Sequence, residues 1–386
     1  MRKENLILIT KNYLTQIIES IEKEYDNTAL LIKIKHLGKI VLKSNYFLTK
    51  DELNSFFAKL TCLIDEIEAR RIQLLKHHEK YLLKNSRKSI TPQVEEEDGE
   101  FQEVDQNDPE KILTEDIEEI EEIQGYISDV IGFSFKTHKD ISTDIVNIIL
   151  NNWLPKYFRS DASIFEIKMG ILILDDMIEY LGQDFLRDLW NQMSKILIQY
   201  TTHGDCKIRR AACYGIGILA QNTTENFSAF SDDAINSLAF ALQIQIESRN
   251  EDEWGAAKDN ATTALGKIIK YQYNSVNMEN CFYLWLRNLP IIYDTTESVE
   301  QHGILCDFIL NKPEFCYGGN LVNMEYIVRI LAKIYATEKF SDEELDVKIK
   351  IITSSWKEKE NIMGFVENIK NSSEPMIKKK INKIMM

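Results

Sequence analysis

Apolar residues in this chain gather into amphipathic runs that stop at a short polar break and then resume. One example is GIGILAQ (215–221), which gives way to NTTENFSAFSDDAINSLAFAL (222–242). Strand-like alternation is rare and no hairpin signal separates the runs, so the pattern predicts helices. Asp205 fits an N-cap, with Arg209, Arg210, Ala211 and Ala212 as good helix formers behind it. Thr49 with Glu52, and Ser341 with Glu344, fit the S/T-x-x-E capping box. Trp153-Leu154-Pro155 and Leu289-Pro290 mark helix ends, because proline disfavours helical backbone in the residue before it.

The runs repeat. His36-Leu37-Gly38-Lys39-Ile40 echoes Ala264-Leu265-Gly266-Lys267-Ile268, and YGIGILAQ matches both when Gly217 is set against Gly38 and Gly266. GILILDDMIEYLG (170–182) and GILCDFILNKP (303–313) share the shape. With Asp176, Gly217, Gly266 and Cys306 in register, the spacings are 41, 49 and 40 residues. Helix pairs with a period of about 40 to 47 residues are the signature of HEAT and armadillo arrays, whereas ankyrin and tetratricopeptide arrays run near 33 or 34. The fold class expected is all-α: an α-solenoid of HEAT repeats, with antiparallel helix pairs stacked into a superhelix.

KIRRAACYGIGILAQ (207–221) raises a competing possibility, because Gly215-Ile216-Gly217-Ile218-Leu219-Ala220 fits the dinucleotide pattern G-x-G-x-x-G/A. That pattern needs a strand before it and a helix opening after it. Upstream lies TTHGDCKIRRAACY, which has no β-branched or alternating run, so the glycines fall inside a helix. Each such glycine costs roughly 1 kcal/mol against alanine. In a stack of helix pairs the reason for that cost is close approach. Gly38, Gly215, Gly217 and Gly266 are therefore expected at inter-repeat contacts, with Arg209 tying neighbouring repeats or balancing its own helix.

Composition narrows the function. Hydrophobic residues make up 44% of the 386, prolines number six and glycines fifteen, which suits helices around a substantial core. The six cysteines are scattered, and His77 and His78 are adjacent and so point to different sides of a helix. No disulfide framework, zinc site, metal or cofactor is expected, and no histidine is locally partnered as a catalytic base. No apolar stretch approaches 18 residues, so membrane insertion is not expected and the chain reads as soluble and intracellular. The net charge of −15 is concentrated: Glu95 to Glu122 holds fifteen acids and one base, Lys111, leaving 46 acids against 45 bases elsewhere. The window is expected to be a disordered, self-repelling loop, or an electrostatic lure for basic partners. The domains expected are HEAT-type repeats over 1–84, an acidic insertion over 85–122, and repeats of the same solenoid over 123–386.

Five segments in order carry a family resemblance: ILILDDMIEYLG, KIRRAACYGIGILAQ, DNATTALGKIIKYQ, WLRNLPIIYDTTESV and GILCDFILNKPEFCYGGNLVNMEYIV. Together, over about residues 120 to 335, they resemble the C-terminal HEAT repeats of the importin-β (karyopherin-β) superfamily, in the importin-5 or karyopherin β3 branch. The acidic window sits where that branch carries an insertion. The resemblance implies a non-enzymatic nuclear transport receptor moving between cytoplasm and nucleus. The partners it implies are basic cargo proteins with nuclear localisation signals, Phe-Gly nucleoporins and RanGTP, with no direct nucleic acid. Family members are longer, and their main RanGTP site lies in repeats without a counterpart here. A HEAT scaffold without transport activity is the alternative.

Within such a receptor the second helix of each repeat lines the concave face. Asp175, Asp176 and Glu179 are then candidates to pair with cargo lysines, or they form a solvated helix face. Asn260 is expected to open the DNATTALGK helix, either holding a peptide backbone or serving as a cap. Trp254 and Trp285 are expected as packing anchors. The tail Ile377–Lys383 is either a basic nuclear signal or a lysine-rich helix end that complements the macrodipole.

Overall fold

The computed structural model describes residues 3–44, 47–88, 109–186, 189–223, 227–245 and 251–386, and all its regular elements are helical. Two compact units divide the chain, residues 1–181 and 182–386. The division falls at Gly182, whose φ of 73° interrupts the helix that contains it.

In the first unit, α1 (Lys3–Ile21) pairs with α2 (Asn27–Ser44), and α3 (Lys50–Lys88) pairs with α4 (Pro109–His138). A third first layer is broken into α5 (Thr143–Ile148), a π turn over Ile149–Trp153 and the short α6 (Leu154–Tyr157). It precedes α7 (Ile164–Leu186). The Thr49–Glu52 capping box forms as expected: Glu52 Oε2 accepts from the Thr49 N–H at 2.7 Å, and Thr49 Oγ1 accepts from the Glu52 N–H at 3.4 Å. Second helices stack directly, α2 on α4, and Phe57 of α3 meets Phe135 of α4 with centroids 5.8 Å apart.

The acidic window enters the fold further than the 85–122 boundary allows. Residues 85–88 finish α3 and 109–122 begin α4, while 89–108 lie outside the described residues. Ile120, Ile123 and Ile127 are buried at helical spacing, so one face of α4 is apolar enough to dock while its carboxylates occupy the other.

In the second unit the pairs are α8 (Trp190–Tyr200) with α9 (Cys206–Asn222), and α10 (Ser231–Ala241) with α11 (Glu251–Tyr271). Next come α12 (Met278–Asn288) and α13 (Thr295–Asn311), joined where the Trp285 indole donates to Gln301, then α14 (Pro313–Tyr317), α15 (Met324–Ile334) and α16 (Glu343–Lys357). The last pair is α17 (Glu360–Ser372) with α18 (Pro375–Met385). The second helices α9, α11, α13, α16 and α18 are neighbours in sequence order. Stacked antiparallel helix pairs are what a HEAT array requires.

Two local expectations need correction. Helix α16 is capped by Asp342, whose carboxylate accepts from the Leu345 N–H at 2.8 Å, and the hydroxyl of Ser341 donates instead to Asp346. A carboxylate outcompetes the neighbouring hydroxyl because its charge also meets the positive end of the helix dipole. Asn260 does not open a helix; α11 starts at Glu251, nine residues earlier.

Candidate functional site: the stacked second helices

Close approach in the second unit begins at Gly217 on α9. A β-carbon there would stand 3.3 Å from the Ala264 backbone and 3.2 Å from the Lys267 side chain on α11. The space it leaves lets the Lys267 stem cross the helix, so that Nζ reaches Glu297 on α13 at 2.9 Å and lies 5.3 Å from the Tyr214 ring centroid. Gly266 repeats the arrangement one layer on, against Gln301 of α13 and Trp285 of α12. Gly38 in the first unit faces Val130 and Phe133 of α4 at ordinary contact distance, and Gly215 is buried within α9. The glycines of 215–220 thus sit inside a helix and open no phosphate loop.

Arg209 ties two repeats. Its guanidinium lies 4.3 Å from the Trp254 ring centroid on α11 and donates to the carbonyls of His203 and Gly204 at 2.6 and 2.8 Å, below α9. Asp205 caps that helix as expected, accepting from Lys207 and Ile208. Trp285 is fully buried, and its indole donates to Gln301 at 3.2 Å.

Polar groups extend the ties. Asp259 Oδ2 accepts from three successive N–H groups, Ile292, Tyr293 and Asp294, in the loop before α13. Burial still pushes its carboxyl above the usual range, against the opposite pull of those amides. Asn260 donates to the Ala256 carbonyl at 3.0 Å and to Asp294 Oδ2 at 2.9 Å, and is only 3% exposed. Its amide is engaged within the stack. Ion pairs cross successive second helices: Lys207 with Glu253, Lys267 with Glu297, Lys270 with Glu300, and Lys348 with Asp307. His302 links the same layers, accepting from Ile291 N–H through Nε2 and donating from Nδ1 to the Phe340 carbonyl; burial lowers its imidazole to about 4.

The three acids of α7 separate in the structure. Glu179 is exposed, whereas Asp175 is 3% exposed with neither carboxylate oxygen hydrogen-bonded. Asp176 presses on α4, where a β-carbon at Gly132 would lie 2.5 Å from Oδ1 and the Ser128 hydroxyl donates to Oδ2 at 3.1 Å. Burial raises both carboxyls well above the ordinary range; Asp176 and Glu179 add to the effect on Asp175. Asp175 and Glu179 lie one turn apart on α7, but Asp175 is enclosed while Glu179 reaches solvent, so the three acids form no single solvated face.

Sequence reasoning missed Gly132, and it also missed His138, whose Nε2 accepts from Phe47 and Leu48 N–H at 3.3 and 3.1 Å. It missed as well an apolar cavity of about 260 Å³ lined by Ile18, Ile21, Leu37, Phe56 and Leu63 of α1, α2 and α3. Among the described residues no helix is long and apolar enough to cross a membrane, and no group of three His, Cys, Asp or Glu is placed to hold a metal ion.

No family model matches the chain. A curated relative, described as a probable importin-5 homolog of Dictyostelium discoideum, is 26% identical over 244 residues, covering 62% of this chain and 22% of its own length. Among solved structures, the karyopherin Kap121p bound to the SUMO protease Ulp1p aligns with a TM-score of 0.63 at 18% identity, covering 99% of this chain and 31% of that one. Kap121p bound to RanGTP aligns at 0.62 and 16%, with the same coverage. Kap121p bound to Pho4p aligns at 0.61 and 14%, covering 98% and 30%. The chain therefore takes the HEAT-repeat fold of these karyopherin structures. It spans less than a third of the length of these relatives.

Proposed function

We propose that this chain is the cargo-side arm of a nuclear transport receptor of the importin-5 (karyopherin β3) kind, built as one array from repeats over 1–84 and 123–386. The observation that carries this is the extent of the likeness: 99% of the chain follows a karyopherin solved with a protein partner. Its chemistry is recognition, with no bond made or broken. Cargo bearing lysine-rich localisation signals is bound along the second helices, with Glu179 as the exposed acid of α7. In the longer receptor RanGTP releases cargo through a main site outside these repeats, and the structure of Kap121p with RanGTP supports that partner. The cavity between α1, α2 and α3 exceeds the about 150 Å³ that admits a benzene ring, which suits the phenyl groups of Phe-Gly nucleoporins. The receptor passes between cytoplasm and nucleus.

The test is titration of a labelled lysine-rich localisation peptide and a lysine-to-glutamine control into the intact chain. Preference for the lysine peptide, weakened about two- to fivefold by Glu179→Lys, is the expected result. Equal affinity for both peptides overturns the proposal. A scaffold that assembles proteins without moving them is the second reading, favoured by the internal pairing of Lys267, Lys270 and Lys348 with acids of the same stack. Release of bound peptide by RanGTP favours the receptor over that scaffold.

A further inference from the structure

The two sides of α11 differ in kind. Toward α9 it presents Ala264 against Gly217, in line with Ala257, Ala261 and Ile268, all of them buried. Toward α13 it presents Asp259, Asn260, Thr263 and Lys267 at helical spacing, equally buried and all polar.

Contacts across that polar side fix how α11 and α13 lie. Asp259 and Asn260 meet residues 33 to 35 positions later, and Gly266 meets Gln301 at the same offset. The helices therefore run parallel in one register, which sets Thr263 opposite Glu297 and Gln301 one turn further along α13. Lys267 reaches back to Glu297 because a long side chain leans toward the start of its helix.

Among the described residues, three buried atoms of this stretch have no hydrogen-bond partner: Thr263 Oγ1, Glu297 Oε2 and Gln301 Nε2. Their neighbours fix their chemistry. Glu297 Oε1 accepts from Lys267 at 2.9 Å, and Gln301 Oε1 accepts from the Trp285 indole at 3.2 Å, which leaves the amide nitrogen as a donor. A hydroxyl, a carboxylate oxygen and an amide N–H together need a ligand that both donates and accepts. The Lys267 ammonium and the amide N–H repel a cation there, and the carboxylate repels an anion.

We propose that α11 and α13 hold a structural water between Thr263, Glu297 and Gln301. It accepts from Gln301 Nε2, donates to Glu297 Oε2 and bonds the Thr263 hydroxyl, the roughly three bonds usual for a buried water. The water joins these two helices beside the Gly266 contact and the Lys267–Glu297 pair.

The test is the sign of one substitution in the intact chain. Thr263→Val keeps the shape of the side chain and deletes its hydroxyl. With the water in place a hydrogen bond is lost, and the melting temperature should fall by about 2 to 4 °C. The fall should shrink when Gln301→Leu has already removed the water's donor. A hydroxyl bonded to nothing is a buried cost, so its deletion would leave the melting temperature unchanged or higher; that result overturns the proposal, as do additive losses. A crystal structure of the chain that resolves solvent should show one density peak within hydrogen-bond distance of all three atoms. Side chains bonded directly to one another there, with no peak between them, overturn it as well.

Discussion

Gly266 and Gln301 occupy space that only a glycine can leave free. A β-carbon on Gly266 would overlap the Gln301 amide oxygen and stand 2.7 Å from the Trp285 indole nitrogen that donates to that oxygen. Gln301 and Trp285 are both fully buried, so neither has somewhere to go. The glycine is the joint between one helix pair and the next.

Gly266→Ala should therefore lower the melting temperature, an overpacking cost of about 1 to 3 kcal/mol outweighing the gain of about 1 kcal/mol in helix propensity. Adding Gln301→Ala should recover part of the loss, a coupling that a double-mutant cycle measures. Gly364→Ala on α17 is the control. Nothing lies within 4 Å of a β-carbon there, and stability should hold or rise.

The ion pairs differ in depth, and their deletions should differ accordingly. Lys267 and Glu297 have side chains only 6% and 16% exposed, and Glu297 keeps a second buried oxygen without a partner. Lys267→Met strands that carboxylate and should cost about 3 kcal/mol or more in chemical denaturation. Lys270→Met removes a pair to Glu300 whose side chains are both well exposed, and should cost less than about 1 kcal/mol. Equal losses would contradict the geometry of α11 and α13.

Asp175 supplies a pH signature. Its carboxyl is raised above the usual range in the folded chain, so on folding it holds a proton that the unfolded chain releases. Stability from this group is thus present below the unfolded value and falls as pH rises above about 4. His138 and His302 act in the opposite sense: with imidazoles lowered to about 4, their contribution is present above the unfolded value and lost as pH drops. Asp175→Asn isolates the first effect. The difference in melting temperature, variant minus parent, should increase from pH 4 to pH 7; a flat difference would place Asp175 in contact with water.

The stack itself was legible because Gly217 and Gly266 are poor helix residues in otherwise good helices, and only close approach explains them. Gly132 escaped because its partner is a polar side chain, Asp176, and its helix begins inside a charged window. Asn260 was misplaced because Asp259-Asn260 looks like a cap, although Glu251, Asp252 and Glu253 mark an earlier first turn. Asp175 was taken for a surface acid, yet Ile173, Leu174, Met177 and Ile178 around it are all buried, so this turn of α7 lies in the interior. The cation-to-carboxylate pairings, such as Lys267 to Glu297, depend on which helices become neighbours and are invisible in a single stretch of sequence.

Passage through the nuclear pore tests the proposed receptor function most directly. The quantity to measure is the rate at which the labelled chain enters nuclei of permeabilised cells, against an inert protein of the same 45.0 kDa mass. Faster entry than the inert protein is the predicted result, with Ala58→Asp, at the exposed rim of the α1–α3 cavity, slowing it. Entry at the inert protein's rate would contradict the account.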